Sequence, residues 1–155
     1  MTAALLPSGP QKDRHPGHDE HGSSAVELAL LVPILVVMLG LLIGGGRLWF
    51  ARTTVHEAAQ TAARAASLAR SSGQAAADGP AAGRQSLATA GLTCATSSVS
   101  VDTAAFAVPV GRPASISARI SCTVPFEDVF LPGMPGSIDL TASGSSALDT
   151  YRSRE

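Results

Sequence analysis

The sequence predicts an α+β protein. A long apolar amino-terminal helix crosses a membrane and continues outward into a domain with a short second helix and a small antiparallel sheet. Three observations predict this. Leu28 to Ile43 (LALLVPILVVMLGLLI) carries no charged or polar side chain. The alanine-rich stretch that follows has high helix propensity. After Cys94 the texture changes to short segments that alternate polar and apolar residues.

The apolar run comes first. Extended to Gly46 it would span about 28 Å as a helix, against a hydrocarbon core of about 30 Å. Every face is apolar, which argues for lipid around it rather than a protein interior. Pro33 falls early in the run, where its missing N–H is tolerated inside a membrane span. A cleaved secretory signal is the competing reading. The run is long for that, and Gly44-Gly45-Gly46-Arg47 follows it instead of a small-residue cleavage site. Lys12 and Arg14 precede the run, while Arg47, Arg52 and Arg64 follow it. Charge counting therefore does not favour a cytoplasmic amino terminus. The exported texture of the later segment does favour it.

Beyond the run, Thr53 to Arg70 (TTVHEAAQTAARAASLAR) continues the helix without interruption. Leu48, Val55, Ala59, Ala62, Ala66 and Ala69 form a stripe of mostly small residues at helical spacing. Such a stripe allows close packing on the chain's own sheet or on a neighbouring subunit. Ser71-Ser72-Gly73 ends or kinks this helix. Asp78-Gly79-Pro80 reads as a restart, with a short second helix over Ala81–Ala90 closed by Gly91. Three strands are expected at Ser97–Val101, Ala114–Val124 and Ser137–Ser143, separated by turns at Gly111-Arg112-Pro113 and Pro132-Gly133-Met134-Pro135-Gly136. The chain is thus read as a disordered polar leader (1–22), a span (23–46), an extramembrane helix (47–72) and a small exported α+β domain (73–155).

Composition narrows the function. Charged residues make up 15% and aromatics 4% of 155 residues, and the net charge is -1. That charge offers no electrostatic footprint for nucleic acid. The two cysteines, Cys94 and Cys122, both follow the apolar run, so an exported location predicts a disulfide between them. Loop closure makes it worth about 3–4 kcal/mol. No cysteine has metal-ligand spacing. His15, His18 and His21 recur every third residue, but Pro7, Pro10 and Pro16 break the leader that carries them, so no metal is expected. His56-Glu57 begins a zinc-protease pattern that fails at Gln60. No nucleophile–base pair and no phosphate-binding glycine loop is present, so neither catalysis nor a cofactor is expected.

Glu27 stands at the threshold of the run. An ionised carboxylate carried into lipid costs up to about 3 kcal/mol, so it needs a helix amino terminus or a partner. The local sequence is Gly22, Ser23, Ser24, Ala25, Val26, Glu27 and then the apolar helix. This resembles the type IV prepilin processing site, and cleavage after Gly22 would leave Glu27 as the fifth residue. Gly22 to Ala66, with its Val-Glu, its early Pro33, its glycine-rich end and its AARAA segment, resembles the TadE-like family. The tail from Val124 to Arg152 is similar as well.

The resemblance implies a pilin-like fold and a structural role: a minor pseudopilin helping to assemble a Flp/Tad-type pilus or a related secretion apparatus. It implies a bacterial cell membrane, with pilus or pseudopilin subunits, an assembly platform and a prepilin peptidase as partners. Glu27 and Pro33 would then serve subunit packing. One departure is that Asp19, Glu20 and His21 precede Gly22, where prepilin leaders usually carry lysine or arginine. The competing class is a membrane-tethered binding or accessory module that never joins a fibre.

Overall fold

A computed structural model describes residues 21–129, 133 and 135–151. The described chain divides between Val37 and Met38 into two units. Residues 1–20 of the leader, with His15 and His18, lie outside the described residues, as do Pro132 and Met134 of the expected turn; the leader's last two residues, His21 and Gly22, begin the first helix.

Helix α1 (His21–Leu68) contains Pro33. In the first unit it is the only element among the described residues. The second unit carries the rest of α1, then α2 (Ser72–Thr89), β1 (Thr96–Asp102), a 3₁₀ turn (Ala104–Ala107), β2 (Ala114–Pro125), the short α3 (Phe126–Val129) and β3 (Ser137–Leu148). The strands form one antiparallel sheet in the order β1-β2-β3. The expected fold class is therefore present.

The second helix differs from expectation. It does not restart at Asp78-Gly79-Pro80 but begins at Ser72 and runs through Pro80. Its start is capped: Ser71 Oγ accepts from the Gln74 N–H at 3.3 Å, and Gln74 Oε1 accepts from the Arg70 N–H at 3.1 Å. This resembles a capping box, with the Gln74 side chain reaching the N–H one residue before the cap instead of the cap's own. Tertiary packing explains why Gly79 does not break the helix, and Pro80 beside it is buried too. A Cβ on Gly79 would lie 2.7 Å from Val101 Cγ2 and 3.2 Å from the Ala62 carbonyl oxygen. A Cβ on Gly83 would lie 3.1 Å from Ile120 Cδ1. The two glycines let α2 sit against α1 and the sheet at backbone distance, and that contact outweighs their low helix propensity. The expected stop at Gly91 holds. Gly91 has φ 72°. Its N–H donates to the Ala88 carbonyl at 3.1 Å and the Leu92 N–H to the Leu87 carbonyl at 3.2 Å, which is a Schellman closure.

The strands follow the predicted alternation. On β2, Ile116, Ala118, Ile120, Cys122 and Val124 are buried and face the helices. The third strand runs five residues beyond Ser143, with Leu140, Gly144 and Leu148 buried at every fourth position. The opposite face is a polar ladder. Ser98 and Ser121 share a hydrogen bond of 2.7 Å, and Thr123 Oγ1 donates to Asp139 Oδ1 at 2.6 Å. Gly111, Gly133 and Gly136 have positive φ in the connections, as the expected turns require.

The small-residue stripe of α1 resolves onto this sheet. Val55, Ala59, Ala62 and Ala66 are fully buried, Ala69 nearly so, and Leu48 packs at the edge of the same core. Of the two packing partners left open by the sequence, the chain's own domain takes this stripe. Ser67 is buried on the same side, where its hydroxyl donates to the Arg64 carbonyl at 2.8 Å and lies 2.9 Å from Ser146 Oγ. Among the described residues, the largest fully buried side chains are Ile116, Ile120, Val55, Val124 and Cys122. No aromatic is among them, so the hydrophobic return per residue is modest.

Candidate functional site

The sequence-predicted site residues lie on α1. Gly22 and Ser23 are in its first turn, and Glu27 follows in the second. Glu27 is exposed. Pro33 sits inside the helix, where it removes the N–H that would reach the Ala29 carbonyl. His21 is the first residue of the helix, and its side chain lies outside the description.

Burial divides α1 by chemistry. From Val26 to Ile43, the large apolar side chains are 47–71% exposed. The apolar stretch has a mean hydropathy of 2.8 over eighteen residues, and none of that window is buried. From Ala51 to Ser67, the helix is instead built into the domain core, and Ala69 just after its end is buried as well. A core helix of a soluble protein would be buried where it is most apolar. Here the most apolar part is the uncovered part, which fits a membrane span in length and composition. Just past the run, Trp49 and Phe50 are exposed beside Arg47 and Arg52. Aromatic and cationic side chains together are the usual composition of a membrane–water boundary.

Cys94 and Cys122 are bonded, with their Cα atoms 5.4 Å apart. Cys94 follows α2 and precedes β1, and the Ala95 N–H donates to the Thr123 carbonyl at 2.8 Å. The bond therefore ties the exit from the second helix to the central strand, as expected from the sequence. His56 and Glu57 lie exposed on α1. Among the described residues no three His, Cys, Asp or Glu side chains gather as metal ligands.

A single lipid-length apolar helix leading into a small, disulfide-closed α+β domain defines the class: a candidate single-span membrane protein. Within that class, residues 22–64 match the family model described as TadE-like protein. The match takes in Glu27 and Pro33 and ends at Arg64, inside the AARAA segment (62–66), over less than a third of the chain. No curated protein and no solved structure matches the chain.

Proposed function

We infer that this chain is a structural, pseudopilin-like membrane protein that assists assembly of a Tad-type pilus or a related secretion apparatus. The family match supports the coarse reading of a Tad pilus-related protein. One observation carries the finer one: the uncovered apolar stretch begins beside an exposed carboxylate, Glu27, inside the matched segment. In this reading residues 1–22 are a leader removed by a prepilin peptidase, residues 23–46 span the bilayer, the helix extends outside it from residue 47 and ends at Leu68 rather than at residue 72, and the chain from α2 onward completes the extracytoplasmic domain.

The small-residue stripe is occupied by the chain's own sheet. This supports placing any packing onto neighbouring subunits on the part of α1 that includes Glu27 and Pro33. There the Glu27 carboxylate pairs with the amino-terminal amine of an adjacent subunit. In a low dielectric such a pair forms only in register, because either charge alone is costly.

Glu27→Ala tests this. The variant is expected to stay in the membrane fraction while its recovery in sheared surface fibres, and fibre number, fall to background. Unchanged fibres with the variant in the membrane contradict the assembly role and favour a tethered accessory. Mass spectrometry of the wild-type chain extracted from membranes tests the processing step: a mature chain starting at Ser23 is expected, and an intact leader bearing Met1 contradicts cleavage.

A further inference from the structure

An open groove of about 530 Å³ lies within the second unit, in the size range of small-ligand sites, ~300–1,000 Å³. One wall is helical and is built from Leu42, Ile43 and Phe50 of α1. The facing wall is Leu92, from the turn after α2, with Val124 and Val129. Leu42 and Ile43 are 71% and 51% exposed and are the last large residues of the uncharged run. The groove therefore continues the surface that faces lipid if the run spans a bilayer. In water, an apolar groove joined to an apolar helix surface would be an uncompensated liability.

Its lining includes one cation and one anion, Arg47 and Asp128. Arg47 comes four residues after Ile43, one helical turn beyond the run, which is the depth of phospholipid headgroups. A guanidinium there presents a planar fork suited to a phosphate. A phosphate alone would leave the Asp128 carboxylate facing like charge. A headgroup that carries both a phosphate and an ammonium would satisfy both side chains.

We propose that this groove seats one phospholipid with a primary ammonium headgroup. Its acyl chain lies along the apolar walls, its phosphate meets Arg47 and its ammonium meets Asp128. The proposal rests on the membrane reading given above and adds a specific lipid site to it.

The test uses the full chain in nanodiscs containing phosphatidylethanolamine, phosphatidylcholine and phosphatidylglycerol in equal parts, with retained lipids counted by native mass spectrometry. One phosphatidylethanolamine is expected to stay bound in preference to the other two. Arg47→Gln is expected to retain about tenfold less lipid, the loss of one charge-assisted hydrogen bond. Asp128→Asn is expected to keep a lipid but lose the preference for the ammonium headgroup. Gly46→Leu fills the groove from a position where a Cβ meets nothing within 4 Å. It should abolish retention without lowering the melting temperature, while Arg52→Gln should leave retention unchanged. Retention of all three lipids in equal amounts, or retention that survives Gly46→Leu, overturns the site. A dimer that disappears in Gly46→Leu also overturns it, in favour of a second copy. A chain that never enters the nanodisc overturns the membrane reading itself, a separate and recognisable result.

Discussion

Gly144→Val is expected to unfold the extramembrane domain or to lower its stability by about 3 kcal/mol or more, at or beyond the upper end of usual overpacking costs. Gly144 is buried in β3, directly over α1. A Cβ there would lie 2.5 Å from the Ala59 carbonyl carbon and oxygen and 2.6 Å from the Gln60 nitrogen. These are backbone atoms in the middle of a helix, so no side-chain rotation relieves the clash. Either the strand lifts away or the helix shifts, and both movements open the row of buried alanines that the contact seals. Thermal unfolding of the full chain in detergent micelles, followed by circular dichroism, measures the loss. Gly73→Ala is the matched control. Its Cβ would meet nothing within 4 Å and it lies in a helix, so it should be neutral or stabilising by up to ~1 kcal/mol. A Gly144→Val domain that melts with the wild type contradicts the described seating of β3 on α1.

Replacing both cysteines, Cys94→Ala with Cys122→Ala, is expected to cost about 3–4 kcal/mol on the loop-entropy estimate. The bonded residues are 28 apart in sequence. For a domain of this size the melting temperature should fall on the order of 15 °C. The effect should be prominent because, among the described residues, the fully buried core consists of isoleucine, valine and alanine around Cys122, with no aromatic side chain. A small core of that kind leans on a covalent closure. Melting curves with and without reductant check it: reductant should move the wild type toward the double variant and leave the double variant unmoved. Equal melting temperatures for the wild type and the double variant would show that the bond contributes little.

Parts of this architecture could be read from residue order because they depend on local chemistry. The uncharged run from Leu28 to Ile43 needs only hydropathy. The strands of SSVSV, ASISARISCTV and SIDLTAS need only a period of two, and the observed β1, β2 and β3 contain them. The start of α2 could also have been read, since Ser71 followed three residues later by Gln74 is a capping signature. Gly79-Pro80 masked it, because local rules treat that pair as punctuation. The place of Gly79 in the helix comes from its close approach to Ala62, Ala66 and Val101, which lie elsewhere along the chain.

The length of β3 was obscured in the same way. Gly144 weakens a strand by propensity, yet it is the residue that lets the strand rest on Ala59. Partner choice for the alanine stripe was likewise undecidable from spacing, because a self-packed and a subunit-packed helix display the same small residues. The groove beside Arg47 draws its walls from α1, the turn after α2, β2 and α3, and no single stretch of sequence announces such a convergence. Glu27 and Pro33, by contrast, stand out in residue order, while their packing role comes only from the family resemblance; both fall inside the matched segment.

Everything functional here depends on bilayer residence of the stretch from Val26 to Ile43. Alkaline carbonate extraction of membranes from cells expressing the full chain measures that residence. The chain should remain in the pellet and be released only by detergent. Recovery of the chain as a freely dissolved species in the supernatant would contradict the account.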